Sequence, residues 1–265
     1  MTAVQTHVPD GPIWVARDSW TEALRHLRAI PRNPEQMIFV IVQPVMFVLL
    51  FVYVFGGEIE IPGYDSYRQY LLPGIFAQTV LFGSSFTGVG LADDLQKGIV
   101  DRLRSLPMHQ SAVLVGRLLS DLVRNVATFG VMLLVAFVVG FRFEGSIIGA
   151  VGATILLFAF SHAFSWIQAL IGLSVGSVEA ANSAGFIWMF PLTFVSSAFV
   201  RTETMPGPLR WFADVNPFTA LTDAVRALYN GREVGSDVVV ALGWAVGLTA
   251  VFAFLAIRKF SSTTR

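Results

Sequence analysis

Residues 145–178 read GSIIGAVGATILLFAFSHAFSWIQALIGLSVGSV, a run of 34 amino acids without a single Asp, Glu, Lys or Arg. A helix needs roughly 20 consecutive apolar residues to cross the hydrocarbon core of a bilayer, and a soluble helix has no use for so many. The run is too long for one upright span and too short for two spans with a turn. It therefore predicts one long or broken helix whose end protrudes from the membrane.

Five further uncharged runs have the same character. They cover 36–57, 69–92, 125–141, 180–200 and 238–257. The whole chain of 265 residues is 54% hydrophobic and only 14% charged, whereas a soluble domain has about 25% charged residues. This composition excludes a soluble globular domain and predicts an integral membrane protein.

The predicted fold is all-α, a single polytopic transmembrane domain over 1–265. Helices satisfy their own backbone hydrogen bonds in lipid, and the runs lack the alternation of a barrel strand. The third span begins before its uncharged run, since the preceding segment is amphipathic, with leucines on one face and Arg117, Asp121 and Arg124 on another. The six predicted spans are 36–57, 69–92, 112–141, 145–178, 180–200 and 238–257.

Basic residues are distributed unevenly between the two sides of this domain. The side that holds both termini has 12 Lys and Arg residues, and the other side has 6. By the positive-inside rule both termini are predicted to be cytoplasmic. The connection 201–236 opposes this prediction with 4 Arg residues, but the rule is weaker for longer loops.

Bulk composition also excludes several classes of site. Basic and acidic residues number 18 each, so no excess positive charge is present to hold a nucleic acid. The absence of Cys excludes disulfides, Fe–S clusters and thiolate zinc sites, and the four His residues lack the spacing of metal ligands. No signal peptide is expected ahead of the first span, because residues 1–35 are polar and mixed in charge.

An amphipathic helix is predicted ahead of the first span, over 12–35. Its apolar residues recur at helical spacing and are Ile13, Ala16, Trp20, Ala23, Leu24, Leu27 and Ile30. Its charged residues lie on the other face and are Arg17, Asp18, Glu22, Arg25 and Arg28. Such a helix, with Trp14 and Trp20 as headgroup-level anchors, lies flat on the inner leaflet. Two roles stay open, a passive membrane anchor and a docking platform for a cytoplasmic partner.

The most charged stretch is DDLQKGIVDRLRSLP at 93–107, on the predicted cytoplasmic side. A short helix there would place Ile99, Leu103 and Leu106 on one side and Asp101, Arg102 and Arg104 on the other. Pro107 would then end it. Charged loops are often only solvated surfaces, but this arrangement also suits a helix that inserts into a groove of another protein.

A second amphipathic segment, a hairpin over 205–231, is predicted at the outer interface. Asn216 and Pro217 form a helix N-cap followed by proline at the first helical position. One face of the helix that follows is apolar, Asp223 and Arg226 lie opposite, and Gly231 closes it. The hairpin either caps a translocation path or only covers helix ends.

These segments resemble a known family. The run GIVDRLRSLP at 98–107 is followed by Gly116-Arg117 and Asp121, and later by Met205-Pro206, Asn216-Pro217, Arg226 and Gly231. Together they are similar to the membrane-spanning subunits of type-2 ABC exporters, above all the daunorubicin/doxorubicin-resistance permeases, with polysaccharide exporter permeases more distant. The resemblance covers nearly the whole chain, and its cytoplasmic motif at 98–107 is silent on the cargo.

The resemblance implies a permease subunit of a bacterial plasma-membrane exporter. Two such subunits, either two copies or one copy with a related permease, would form the pathway above two copies of a separate ATPase. In that family 93–107 is the coupling helix that contacts the ATPase, and the hairpin over 205–231 gates the exit. Carried over to this chain, the ATPase-coupling residues are Asp101, Arg102, Leu103, Arg104, Leu106, Pro107, Arg17 and Arg25. The exit-gate residues are Asn216, Pro217 and Arg226.

Two absences indicate where the energy for transport enters. The chain contains no GxxxxGK[S/T] loop, so it is not expected to be an enzyme or to bind a cofactor, and ATP and Mg²⁺ are expected on a partner chain. The six runs also contain no acidic or basic residue, whereas a proton- or sodium-driven transporter usually has one inside the membrane. Only His162 could titrate there, and hydrogen-bonded packing explains it equally well.

Polar residues within or near the spans are candidates for the substrate pathway, because they should face a cavity or a partner helix. They are Gln43, Gln78, Ser84, Ser85, Asn182 and Ser183. The resemblance implies the export of a hydrophobic or amphipathic cargo such as a drug, an antibiotic or a lipid. The alternatives are export of a polysaccharide or glycolipid, a membrane scaffold or assembly protein without transport, and an ATP-independent transporter or channel.

Overall fold

A computed structural model describes residues 12–29, 34–55, 61–64, 66–104 and 110–262. Within these ranges the regular secondary structure is helical, and no strand occurs. The all-α prediction is therefore confirmed for the described part of the chain.

The helices follow the order of the apolar runs. The first five are α1 (Pro12–Ala29), α2 (Pro34–Leu49), α3 (Tyr67–Gln96), α4 (Ile99–Arg104) and α5 (Gln110–Val139). They are followed by α6 (Ile147–Ser174), α7 (Val178–Phe194), α8 (Gly207–Val215), α9 (Pro217–Tyr229) and α10 (Asp237–Ser262). α2 continues as a π-helix over Leu50–Phe55, and a 3-10 turn lies at Thr202–Thr204.

Each predicted span corresponds to a helix, but the lengths differ from those expected. Within the described ranges, four helices are long and apolar enough to cross a membrane, namely α3, the Ala112–Val139 part of α5, α6 and α10. The apolar helix at Ile41–Val54 and the 17-residue α7 are shorter. The predicted long or broken helix at 145–178 is one unbroken helix that ends at Ser174, because Val175 adopts an extended backbone.

The apolar core has two parts, which define two ends of the bundle. The larger part includes Phe76, Phe160, Phe218 and Tyr229 and lies toward the α8–α9 hairpin. The smaller part lies beside α4 and consists of Leu91, Val100, Val113, Leu114, Leu118, Trp166, Ala169, Leu173, Ala256 and Phe260. We call these two regions the hairpin end and the α4 end.

α3 is the central helix of the bundle. It is buried along most of its length and packs on α5, α6, α7 and α9. α3, α6 and α10 run from the hairpin end to the α4 end, and α5 and α7 run in the opposite direction. α10 packs on α6 and α9 and exposes most of its apolar surface, as a helix that faces lipid does.

The hairpin over 205–231 consists of α8 and α9, and its predicted start signal is confirmed. The Asn216 side chain accepts a hydrogen bond of 2.8 Å from the backbone N–H of Phe218, and Pro217 occupies the first position of α9. Gly231 has a φ of 63°, a left-handed conformation that favours glycine and ends the helix.

Candidate functional site

The predicted coupling segment at 93–107 is not one helix. Asp93–Gln96 form the last turn of α3, and only Ile99–Arg104 form a separate helix, α4. The chain turns at Gly98, whose φ of 66° is left-handed, and the Gly98 N–H donates to the Leu95 carbonyl at 3.1 Å. The predicted short helix is therefore present as α4, but it begins at Ile99 and not at Asp93, because the chain turns at Gly98.

One side of α4 faces the core of the bundle, and the opposite side faces away from it. Val100 is buried in the core at the α4 end, and Leu103 packs against the same core. Arg102 is exposed on the side that faces away from the core. The side chains of Asp101 and Arg104, together with Leu106 and Pro107, lie outside the described residues. The described part of α4 therefore has an exposed arginine on one side and apolar side chains in the core on the other.

α1 packs closely on α5 near Gly116. A Cβ added at Gly116 would lie 2.5 Å from the Glu22 Cβ and 2.7 Å from the Ser19 carbonyl oxygen, so only glycine permits this contact. Ser19, Glu22 and Ala23 are buried there. Of the residues on the predicted charged face of α1, Arg17, Arg25 and Arg28 are exposed. Glu22 is buried although it belongs to the predicted charged face, because α5 covers it.

Charged and polar side chains from α1, α3 and α5 meet at the α4 end. We call this group the Arg117 cluster, and it consists of His26, Thr87, Asp94, Arg117, Asp121 and Arg124. Arg117 Nη1 lies 3.4 Å from Asp94 Oδ2, and Arg117 Nε lies 3.4 Å from Asp121 Oδ2. Arg124 Nη2 donates to Asp121 Oδ1 at 2.6 Å. Asp121 is only 1% exposed, so these charges compensate one another inside the protein.

Further contacts tie the cluster to its surroundings. Thr87 Oγ1 donates to Asp121 Oδ2 at 2.7 Å, and Arg117 Nη2 donates to the Phe86 carbonyl at 3.2 Å. The Arg124 guanidinium lies 4.5 Å from the centre of the Phe86 ring, a cation–π contact. The cluster thus combines ion pairs, a hydroxyl and an aromatic ring in one packed group.

His26 is the member contributed by α1. Its Nδ1 lies 3.3 Å from Arg117 Nη1, and its Nε2 lies 3.2 Å from Arg25 Nη2. Burial, reinforced by the positive charges of Arg117 and Arg25, lowers the pKa of His26 to about 3. The imidazole is therefore neutral at physiological pH, and its unprotonated ring nitrogen can accept a hydrogen bond from one of the two guanidinium groups.

Sequence reasoning placed Arg117, Asp121 and Arg124 on one helix face but did not join them to α1 and α3. Their spacing of four and three residues is a signal that favours ion pairs along a helix. The partners Asp94 and His26 are 23 and 91 residues away from Arg117. Such contacts depend on tertiary packing, which periodicity does not reveal.

The predicted pathway residues are not brought together. Gln78, Ser84 and Ser85 are buried in α3, and Gln43, Asn182 and Ser183 are exposed on α2 and α7. The Ser84 and Ser85 hydroxyls donate to the carbonyls of Leu81 and Phe82 in their own helix, at 2.6 and 2.7 Å. Three of the six predicted pathway residues therefore lie inside the bundle, and the other three lie on its surface.

The predicted exit-gate residues lie at the hairpin end. Arg226 was expected on a polar face, but it is only 3% exposed. It donates to the carbonyls of Tyr70 and Ser197 at 2.9 and 2.8 Å and to Asp223 Oδ1 at 2.7 Å. Arg226 is buried although it lies opposite the apolar stripe, because α9 packs against α3 and against the loop that follows α7, where Arg226 donates to backbone carbonyls.

Asn216 joins the hairpin to the end of α7. Its side-chain amide donates to the carbonyls of Leu192 and Val195 at 2.7 and 2.8 Å. These carbonyls belong to the end of α7, where helical hydrogen bonding stops. Asn216 is buried while Pro217 is partly exposed, so Asn216 and Arg226 both anchor the hairpin to spans rather than leaving it free.

His162 lies on α6 and is not a member of the Arg117 cluster. Its Nε2 accepts a hydrogen bond of 3.0 Å from Trp166 Nε1, one turn along the same helix. No group of three or more His, Asp or Glu side chains that could hold a metal ion occurs in the part of the chain that the structure describes. The hydrogen bond with Trp166 is thus consistent with a packing role for His162.

Comparison with known proteins supplies the family. Residues 19–230 match the ABC-2 type transporter family. The chain is 36% identical over 240 residues to the daunorubicin resistance ABC transporter permease protein DrrB1 of Streptomyces coeruleorubidus, covering 91% of this chain and 84% of that protein. It is 25% identical over 217 residues to the probable doxorubicin resistance ABC transporter permease protein DrrC of Mycobacterium tuberculosis, covering 82% and 78%. The family match is consistent with a bundle that contains helices long and apolar enough to cross a membrane. The chain therefore belongs to the ABC-2 type transporter family as a membrane permease.

Proposed function

We propose that this chain is the membrane permease subunit of an exporter in which a separate ATPase subunit binds ATP and Mg²⁺ and supplies the energy. The ABC-2 family match supports a permease, and the sequence contains no P-loop of its own. In this proposal two permease subunits, identical or related, form the pathway, and two ATPase subunits bind below them.

The geometry of α4 is the observation that carries the proposal. α4 exposes Arg102 on one side and places Val100 in the core on the other, so a protein docked on it can move the bundle. The proposed contact surface consists of Asp101, Arg102, Arg104, Leu106 and Pro107, with Arg17 and Arg25 of α1 contributing. Leu103 takes part in coupling by holding α4 against the core. ATP binding would draw the two ATPase subunits together and switch the permease pair between inward and outward access.

The proposed membrane topology follows from the distribution of charge. It has six spans, with α2 and α7 crossing together with the four longer helices. Both termini lie in the cytoplasm of a bacterial cell, so that α1 and α4 face the ATPase and the α8–α9 hairpin faces outward. Arg102 and the other basic residues at the α4 end support this orientation.

The proposed cargo is a hydrophobic or amphipathic molecule, either a drug-like antibiotic or a lipid. Two relatives are named for daunorubicin and doxorubicin resistance. The outer face of α7 supports a pathway for such a molecule, since Asn182 and Ser183 are exposed on it together with Phe190 and Phe194. A polar and aromatic surface of this kind suits an amphipathic ligand better than it suits lipid tails.

Capture of the ATPase tests the proposal. The affinity-tagged chain is purified from membranes of its own host, and copurifying proteins are labelled with a photoreactive azido-ATP. We expect a labelled ABC-type ATPase with the unaltered chain and a strong loss of it with Arg102→Glu. Arg210→Glu, an exposed arginine of the hairpin, serves as the matched control. Capture of no nucleotide-binding protein would overturn the proposal and favour a scaffold role.

A further inference from the structure

We infer that Arg117 is a positioning residue that makes α1, the α4 end of α3, and α5 into one rigid unit. Force applied to α4 would then move these helices together. This inference rests on the proposed function, because the rigid unit would transmit a movement of the ATPase at α4 to the membrane helices. Arg117 acts through the helices that it joins, and it is not proposed to contact cargo or nucleotide.

Three helices meet at the Arg117 side chain. Arg117 extends from α5 and donates to the Phe86 carbonyl and pairs with Asp94, both on α3, at 3.2 and 3.4 Å. It lies 3.3 Å from His26 on α1 and 3.4 Å from Asp121 on its own helix. One guanidinium group with five donors is suited to such branching contacts, whereas the ammonium of lysine is a point charge.

The backbone of α3 leaves room for this side chain at Gly90. A Cβ at Gly90 would overlap the Arg117 guanidinium, because the guanidinium lies across the bare Cα. The position of Arg117 is therefore fixed by the shape of α3 as well as by charge. A methyl group at Gly90 would displace Arg117 without removing any charge from the cluster.

α4 is attached to the same unit through apolar contacts. Val100 shares a buried core with Leu91 of α3 and with Leu114 and Leu118 of α5. A displacement of α4 thus acts on both α3 and α5 at the point where Arg117 joins them. Buried charges resist separation because an uncompensated charge in the interior is costly, so the unit should move as a body instead of shearing.

Distances between two spin labels test the rigid unit directly. The chain contains no Cys, so cysteines introduced by Arg28→Cys in α1 and Lys97→Cys after α3 take up label without background. Pulsed electron paramagnetic resonance on the purified full chain gives the distance distribution. We expect one narrow distribution in the otherwise unaltered chain and a broader one with Arg117→Gln or Gly90→Ala.

Matched controls separate this role from general damage. Arg68→Gln removes the Arg68 to Val139 carbonyl bond of 3.0 Å, which joins α3 to α5 at the opposite end. Gly130→Ala places a methyl group on α5 where no atom lies within 4 Å. Both controls should keep the narrow distribution. If Arg117→Gln does not fold, Gly90→Ala decides the question, because it retains every charged group.

Transport by the complete complex provides the functional readout. With the captured ATPase bound, Gly90→Ala and Arg117→Gln should lower cargo moved per ATP hydrolysed about tenfold, in the range for residues that modulate coupling, while ATPase binding and hydrolysis persist. Arg117→Lys should recover part of the loss. An unchanged distance distribution, or unchanged transport per ATP, would overturn the inference. If the unaltered chain captures no ATPase, the proposed function fails, and the label distances still decide whether Arg117 joins the helices.

Discussion

Thr87 and Asp121 connect α3 to α5 through a hydrogen bond of 2.7 Å from the Thr87 hydroxyl to the Asp121 carboxylate. The same carboxylate accepts a bond of 2.6 Å from Arg124. Both residues are buried, with Thr87 0% and Asp121 1% exposed. An ionised group in such a place requires compensating partners, so this pair marks where the α4 end depends on charge as well as on apolar packing.

Asp121→Ala should therefore destabilise the protein strongly. Arg124 and Arg117 would be left without their shared carboxylate, and breaking a buried pair costs about 3–5 kcal/mol. Thr87→Val removes only one hydrogen bond to a charged group, with an expected loss of about 1.5–3 kcal/mol. The midpoint of thermal unfolding in detergent measures both. Asp214→Ala, which breaks the exposed pair with Arg210, is the control and should change the midpoint little.

The contact between α1 and α5 depends on the absence of a side chain at Gly116. Gly116→Val should detach α1, because even its Cβ would lie within 3 Å of Glu22 and Ser19. Overpacking of this kind costs about 1–3 kcal/mol. Protease cleavage after the arginines of α1 should become faster. Equal cleavage rates in Gly116→Val and in the Gly130→Ala control would mean that α1 is not held here.

His26 gives the α1 contact a pH dependence. Its pKa is lowered from 6.5 to about 3, so the docked helix holds the neutral imidazole and protonation favours release. The stability that the neutral His26 contributes is present above pH 6.5 and is lost progressively as the pH falls toward 3. At pH 5 the loss in the free energy of unfolding is about 2 kcal/mol. The unfolding midpoint measured between pH 8 and 5 should fall less in His26→Gln. A parallel fall in both proteins would exclude His26 as the cause.

Much of the helical fold follows from local signals, whereas the charged cluster does not. Uncharged runs such as 145–178 locate helices, and the Asn216-Pro217 pair locates the start of α9. The division of 93–107 depends on the left-handed Gly98, a conformation that glycine permits but does not require. Arg117 meets Asp94 and His26 only after α1, α3 and α5 pack together, so periodicity alone leaves the cluster hidden.

Arg226 anchors the hairpin and should be sensitive to change. Arg226→Met removes the bonds to Asp223 and to the carbonyls of Tyr70 and Ser197. Asp223 keeps the bond from the Ser197 hydroxyl, and the Ser197 carbonyl keeps the bond from the Tyr70 hydroxyl. The expected loss is about 1–3 kcal/mol, the cost of leaving buried polar groups short of a donor, together with faster exchange of the α9 amide hydrogens. Arg232→Met, a change at an exposed arginine that stacks on Tyr64, provides the comparison. Similar exchange in both variants would show that Arg226 does not hold α9 in place.

ATP-driven transport in proteoliposomes tests the central claim, that a separate ATPase energises this permease. Vesicles contain the chain with or without the captured ATPase, and daunorubicin and a fluorescent phospholipid serve as probes. The account predicts that at least one probe moves only when chain, ATPase and ATP are all present, and that Arg102→Glu abolishes the movement. Movement of a probe by the chain alone at the same rate, with no response to ATP or to the ATPase, would contradict it.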